Sequence, residues 1–261
     1  KDAATVSAQW NERAKLLAEA AIGDEDVAEE ILLTIHRSIM STHLGLMAQG
    51  DSDGDISDLQ VDSQRLLRSV SDELYRARVN WELAIAYTDA SRVESARGKH
   101  RSAGQLADSA WTMMQEGGKS REQTPDELVA RGMLLYQLGS IAAVGKENHI
   151  KAVEWYAQAA PLLEKPLPET LASLEGLRGL AFVGMGASYW QNGDTEKALE
   201  LAEKGAELLR KAAGEGKVSR AALELAHGNL ESMYREIGDT ASANRVARWA
   251  DPKKGAAPVG R

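Results

Sequence analysis

The sequence predicts an all-α fold of antiparallel helix pairs, and three observations predict it. Apolar residues recur with a helical period almost end to end, and no sustained alternation or hairpin dipeptide marks a strand. The breaks at Gly193-Asp194 and Gly238-Asp239 repeat one another, each a C-terminal glycine followed at once by a new N-cap. Alanines at positions 103, 152, 198 and 243 recur at intervals of 49, 46 and 45 residues, the mark of a repeating unit. Composition agrees. Of 261 residues 43% are apolar, Phe occurs once and Cys is absent, a balance that favours close helix contacts over sheet.

The elements can be taken in order. Trp10, Ala14, Leu17 and Ala21 form a first apolar stripe, and Val27, Ile31, Ile35, Ile39 and Leu46 a second. The acidic, glycine-bearing stretch 49–55 breaks the chain. A third stripe runs from Leu59 through Leu66, Leu67, Val70, Leu74 and Ala77 towards Trp81 and Ile85. Gly117-Gly118 ends a helix, and Thr124-Pro125-Asp126-Glu127 starts the next with the residues of a capping box and Pro in the first turn. Pro166 and Pro168 precede a helix expected to begin at Glu169, and Gly214-Glu215-Gly216 separates another pair. The last helix is expected to stop near Trp249, ahead of Asp251-Pro252. About ten helices result, in three regions. Residues 1–77 form an acidic helical region of capping or atypical repeats, 78–250 the repeats, and 251–261 a flexible tail.

The segment 182–209 holds the fullest unit. Gly186 and Tyr189 lie on one helix, Gly193-Asp194 turns the chain, and Ala198, Ala202 and Gly205 lie on the next. A later unit offers Tyr234, Gly238-Asp239, Ala243 and Ala250, with Glu231 in the small-residue position. An earlier one offers Gly139, Ala152, Tyr156 and Ala159, with Ala142 replacing the aromatic and one extra residue in its turn. A fainter one has Ala84, Tyr87, Ala103, Ala107 and Ala110, with an insertion before its second helix. This pattern resembles the tetratricopeptide repeat (TPR), in a long-helix variant similar to the kinesin light chain type. The resemblance implies a right-handed α-solenoid of antiparallel helix pairs and a non-enzymatic role in holding other proteins. It further implies a concave groove lined by the first helix of each pair, here Arg78, Trp81, Tyr136, Gln137, Trp190, Asn229 and Arg235. The Lys, Asn and Arg that clamp a C-terminal carboxylate in chaperone-binding TPRs are mostly replaced by Trp, Ile, Tyr, Val, Ala and Ser, which disfavours that ligand.

Charge and motifs narrow the function classes. The net charge of −8 argues against non-specific nucleic-acid binding. Residues 1–62 hold thirteen acidic and four basic residues, enough to steer a basic partner surface to that end. Asp51, Asp53, Asp55, Asp58 and Asp62 imitate a calcium loop, but Ile56 stands where the turn needs Gly, and Asp62 is too short for the bidentate Glu. The five histidines are dispersed, and no HExxH, P-loop, GxGxxG or GxSxG occurs, so no metal, cofactor or catalytic group is expected. No apolar run reaches the roughly 18 residues that span a bilayer. A cytoplasmic location is the expectation. Export stays open, because the sequence begins at Lys1 and carries no Cys to mark a compartment. The functional expectation is a scaffold that binds a peptide or protein, with a homo-oligomerising structural protein, or the docking or sensor part of a larger protein, as the alternatives.

Overall fold

The computed structural model describes residues 73–118 and 123–250. Among these residues the chain is all-α, with eight α-helices packed as sequential antiparallel pairs in the TPR manner. The pairs are α1 (Glu73–Ala96) with α2 (His100–Gly117), α3 (Pro125–Ser140) with α4 (His149–Leu163), α5 (Glu175–Gln191) with α6 (Thr195–Gly214), and α7 (Arg220–Glu236) with α8 (Thr240–Ala250). Contacts divide the chain into two compact units, 1–123 and 124–261. The first contains α1 and α2, and the second contains the other three pairs. The apolar stripes before residue 73, the aspartate-rich loop and the tail 251–261 lie outside the described residues.

One turn is used four times. Gly98, Glu147, Gly193 and Gly238 each have positive φ, at 76°, 50°, 83° and 80°, and each precedes the buried alanine of the second helix by five residues. The N–H that follows the positive-φ residue donates back into the first helix. Lys99 bonds the Glu94 carbonyl, Asn148 that of Ala142, Asp194 that of Tyr189 and Asp239 that of Tyr234. The side chains of Asn148, Asp194 and Asp239 then accept from the N–H three residues on and cap the second helix. Glu147 is the one non-glycine residue at positive φ among the described residues, and a side chain there is strained. Glu147→Gly is expected to raise stability by about 1 kcal/mol, read as a higher urea midpoint with unchanged slope.

Glycines set the closest approaches within pairs. A Cβ on Gly186 would lie 2.9 Å from the Ala198 carbonyl oxygen and 3.1 Å from the Ala202 nitrogen. One on Gly205 would lie 2.7 Å from the Gly179 carbonyl oxygen. Helices α5 and α6 therefore touch backbone to backbone, which the sequence position of Gly186 and Gly205 anticipates. In the α3–α4 pair the room beside Gly139 is taken by the Tyr156 ring, which fills the place of a Cβ. The capping box at Thr124 forms as expected, with both reciprocal bonds to Glu127.

Three sequence expectations need correction. Counted back from its turn, the first pair places Ser91 in the small slot, and Ser91 Oγ donates to the Ala103 carbonyl at 2.8 Å. Ala84 and Tyr87 are buried one heptad earlier on the same face, so the extra residues lie in a longer α1 rather than in an insertion before α2. The residues after Pro168 form a 3₁₀ turn, Glu169–Leu174, and α5 begins only at Glu175. The extra residue of the second pair is wound into a π turn, Ile141–Gly145, that continues α3. The resulting segment Pro125–Gly145 has 21 residues and contains an 18-residue window of mean hydropathy 1.3, long and apolar enough to cross a membrane, although no run of purely apolar residues is that long. Over half of it is buried, packed on α4 and α5 as a core helix.

A candidate partner-binding face on the first helices

The four turns align the first helices residue by residue. Seven residues before each turn, with the π turn adding one, stands the small slot: Ser91, Gly139, Gly186 and Glu231. Six residues before that slot every first helix carries a large aliphatic side chain, Ile85, Met133, Leu180 and Leu225. Ile85 is 36% exposed, Leu225 is 63% exposed, and Met133 and Leu180 are half-buried. In the second unit, α3 packs on α5 and α5 on α7. Met133, Leu180 and Leu225 thus occupy one position on three neighbouring helices. One residue past the small slot the same helices carry Ser140, Ala187 and Ser232, all short. An aliphatic row, whose Leu180 also packs against the core of this unit, lies beside a row of short side chains and gives a strip that can take apolar side chains from another chain.

The residues expected to line a groove are placed differently. Trp81 is 1% exposed, with its indole edge against Gly117 of α2. It is a spacer inside the first pair and is not offered to a partner. Gln137 is buried as well. Tyr136 is half-buried, stacks on Tyr156 at 5.7 Å, and holds its hydroxyl where a Cβ on Gly184 would be 2.8 Å away, which bridges α3 to α5. Trp190 is half-buried against the cluster that includes Ala226, Leu230 and Met233 of α7. Asn229 is half-buried on α7, and Arg235 is exposed there, bonded through Nε to Glu231 at 2.9 Å. Arg78 lies on α1, and its side chain is outside the described set. Trp190, Asn229 and Arg235 therefore fall on adjoining helices, and Tyr136 and Trp190 also serve to join repeats. The aliphatic row was missed because aromatic and Arg anchors are the usual hot spots. The signal was present in the sequence as a large aliphatic residue six places before each small slot.

The strip carries little net charge. On α7, Arg220 pairs with Glu224 and Arg235 with Glu231. Burial raises the Tyr136 hydroxyl above its ordinary value, and burial with a hydrogen bond to Glu203 pushes Tyr234 up to about 12. Both remain neutral near pH 7. Among the described residues no three His, Asp or Glu side chains converge as metal ligands.

No protein-family model and no curated protein matches the chain. Among solved structures, the crystal structure of BtubC (BKLC) from P. vanneervenii, a bacterial kinesin light chain homologue, is similar over 99% of this chain and 93% of its own. The TM-score is 0.61 and the sequence identity 17%. That likeness is one of fold, and the fold is TPR-like.

Proposed function

We propose that this chain is a non-enzymatic protein-interaction scaffold, and that the first helices of its second unit hold a peptide or protein segment along the row Met133, Leu180 and Leu225. The observation that carries the reading is Leu225, a large aliphatic side chain left 63% exposed at a position that α3 and α5 also fill with aliphatic residues. Burying it against a partner would contribute about 1.5–3 kcal/mol. A TPR-like fold supports protein partners in general.

The test uses the full chain as bait for proteins retained from a lysate, with Leu225→Asp alongside. Because Leu225 is exposed, Leu225→Asp is expected to change stability by no more than about 0.5 kcal/mol. It is expected to weaken a retained partner about tenfold, roughly 1.4 kcal/mol. Partners held equally by both baits would place binding elsewhere. The acidic residues 1–62 are then the next surface, tested by whether affinity falls with added salt. Light scattering on the isolated chain distinguishes this reading from self-assembly.

A further inference from the structure

One core position breaks the pattern of the repeats. Four residues before the small slot the first helices carry Tyr87, Leu135, Phe182 and, in the last pair, His227. All four are buried, His227 to 1% exposure. A neutral imidazole has one N–H donor and one acceptor nitrogen, yet neither ring nitrogen of His227 has a hydrogen-bond partner among the described residues. The ring lies against Trp249 of α8, with centroids 5.8 Å apart, and the Arg210 guanidinium of α6 sits 5.8 Å from the same indole.

Glu207 of α6 stands one turn from Arg210, and no carboxylate around this site bears on the His227 ring. Arg210 of α6 bears on it as a like charge. Glu203, also on α6, is taken by the Tyr234 hydroxyl and by Arg245 of α8. Arg248 of α8 is exposed. The charges of α7 close on one another, Arg220 with Glu224 and Glu231 with Arg235. From α5, Glu175 is held by Lys211 and Arg178.

We propose that His227 is a proton-operated latch on the last helix: neutral, it accepts α8 through Trp249, and protonated, it drives α8 off α7. Release would bare the apolar cluster of Leu209, Ala226 and Leu230 that Ala243 and Val246 now cover. A proton on the ring would bring a second cation beside Arg210 against one indole, in a buried site that gives it no counter-charge. Burial and Arg210 hold the imidazole below its ordinary value of 6.5. The docked state thus binds a proton more weakly than the released state. Acid favours release as the pH falls through 6.5, and above that value both states are neutral and the latch is closed.

Amide hydrogen exchange on the full chain tests this, corrected for intrinsic rates and compared at about pH 7.5 and about pH 5.5, on either side of the histidine range. Protection of α8 relative to α6 is expected to fall by up to about tenfold at the lower pH, about one pH unit below the ordinary histidine value of the released ring. In His227→Phe, which copies Phe182, it is expected to stay constant. His227→Leu, which copies Leu135, gives the same result should a phenyl ring overfill the site. Titration of the wild-type imidazole by NMR needs no variant and is expected to report a value below 6.5. Equal protection of α8 and α6 at both pH values, an acid loss that survives in both variants, or an imidazole titrating at or above 6.5 would each overturn the latch.

Discussion

Gly186→Leu loses about 2 kcal/mol of stability, the net of overpacking by about 3 and a helix-propensity gain of about 1 on removing glycine. The first atoms its Cβ meets are the Ala198 carbonyl oxygen at 2.9 Å and the Ala202 nitrogen at 3.1 Å. Both belong to the backbone of α6 and cannot swing aside, so the helices must part. Parting them also disturbs Gly179 and Gly205, where the same two backbones meet. The measurement is the urea midpoint. Gly228 supplies the control, since a Cβ there meets no atom within 4 Å, and Gly228→Ala is expected to be neutral or stabilising. A midpoint unchanged in Gly186→Leu would remove the basis for the register of the repeats.

Tyr156→Ala is expected to cost about 3–5 kcal/mol, the range for removing a buried aromatic ring. The corresponding positions of α2, α6 and α8 hold Ala107, Ala202 and Ala247, so the second pair alone fills this place with a ring. Gly139 makes the space for it. The ring also stacks on Tyr136, and its hydroxyl faces Ser188 on α5. Truncation empties a volume that the opposite glycine cannot refill, and it removes a tie between the second and third pairs. Ser188 keeps one partner, since His149 Nδ1 lies 3.2 Å from its oxygen. A loss under about 1 kcal/mol would mean that α3 and α4 close up until Gly139 meets the methyl group left by the truncation.

Much of the fold was legible because the closest contacts demand particular residues. Gly186, Gly205 and Ala198 could be read from the sequence, since no larger side chain fits between α5 and α6. The first pair was read one heptad early. Seven residues are about 20° short of two helical turns, so Ala84 and Tyr87 share a face with Ser91 and Glu94 and mimic the same motif. Only the positive φ of Gly98 fixes the count, and the Lys99 after it lacks the capping Asn or Asp side chain of the later turns. The binding face was less legible for a different reason. Trp81, Tyr136 and Trp190 have the chemistry of interface anchors, but a large ring can equally fill the gap where helices diverge. Here Trp81 lies wholly inside its pair, and Tyr136 and Trp190 lie partly between pairs. Choosing between these uses requires packing that a single sequence does not contain. The shared aliphatic position, Ile85 in the first unit and the row Met133, Leu180 and Leu225 in the second, emerges only after all four repeats are counted from their turns.

The π turn at Ile141–Gly145 separates two properties that a coiled chain normally inherits together, the length of a repeat and the phase of the next helix. An extra codon in α3 lengthens the repeat, yet the wider turn takes up the added residue and α4 still points Ala152 and Tyr156 inward. Repeat comparisons at a constant period will therefore slip at residue 141, whereas those anchored on positions 98, 147, 193 and 238 will keep step through it. In this chain the constant ruler is the reversal of the backbone, and the distance between reversals is free to vary.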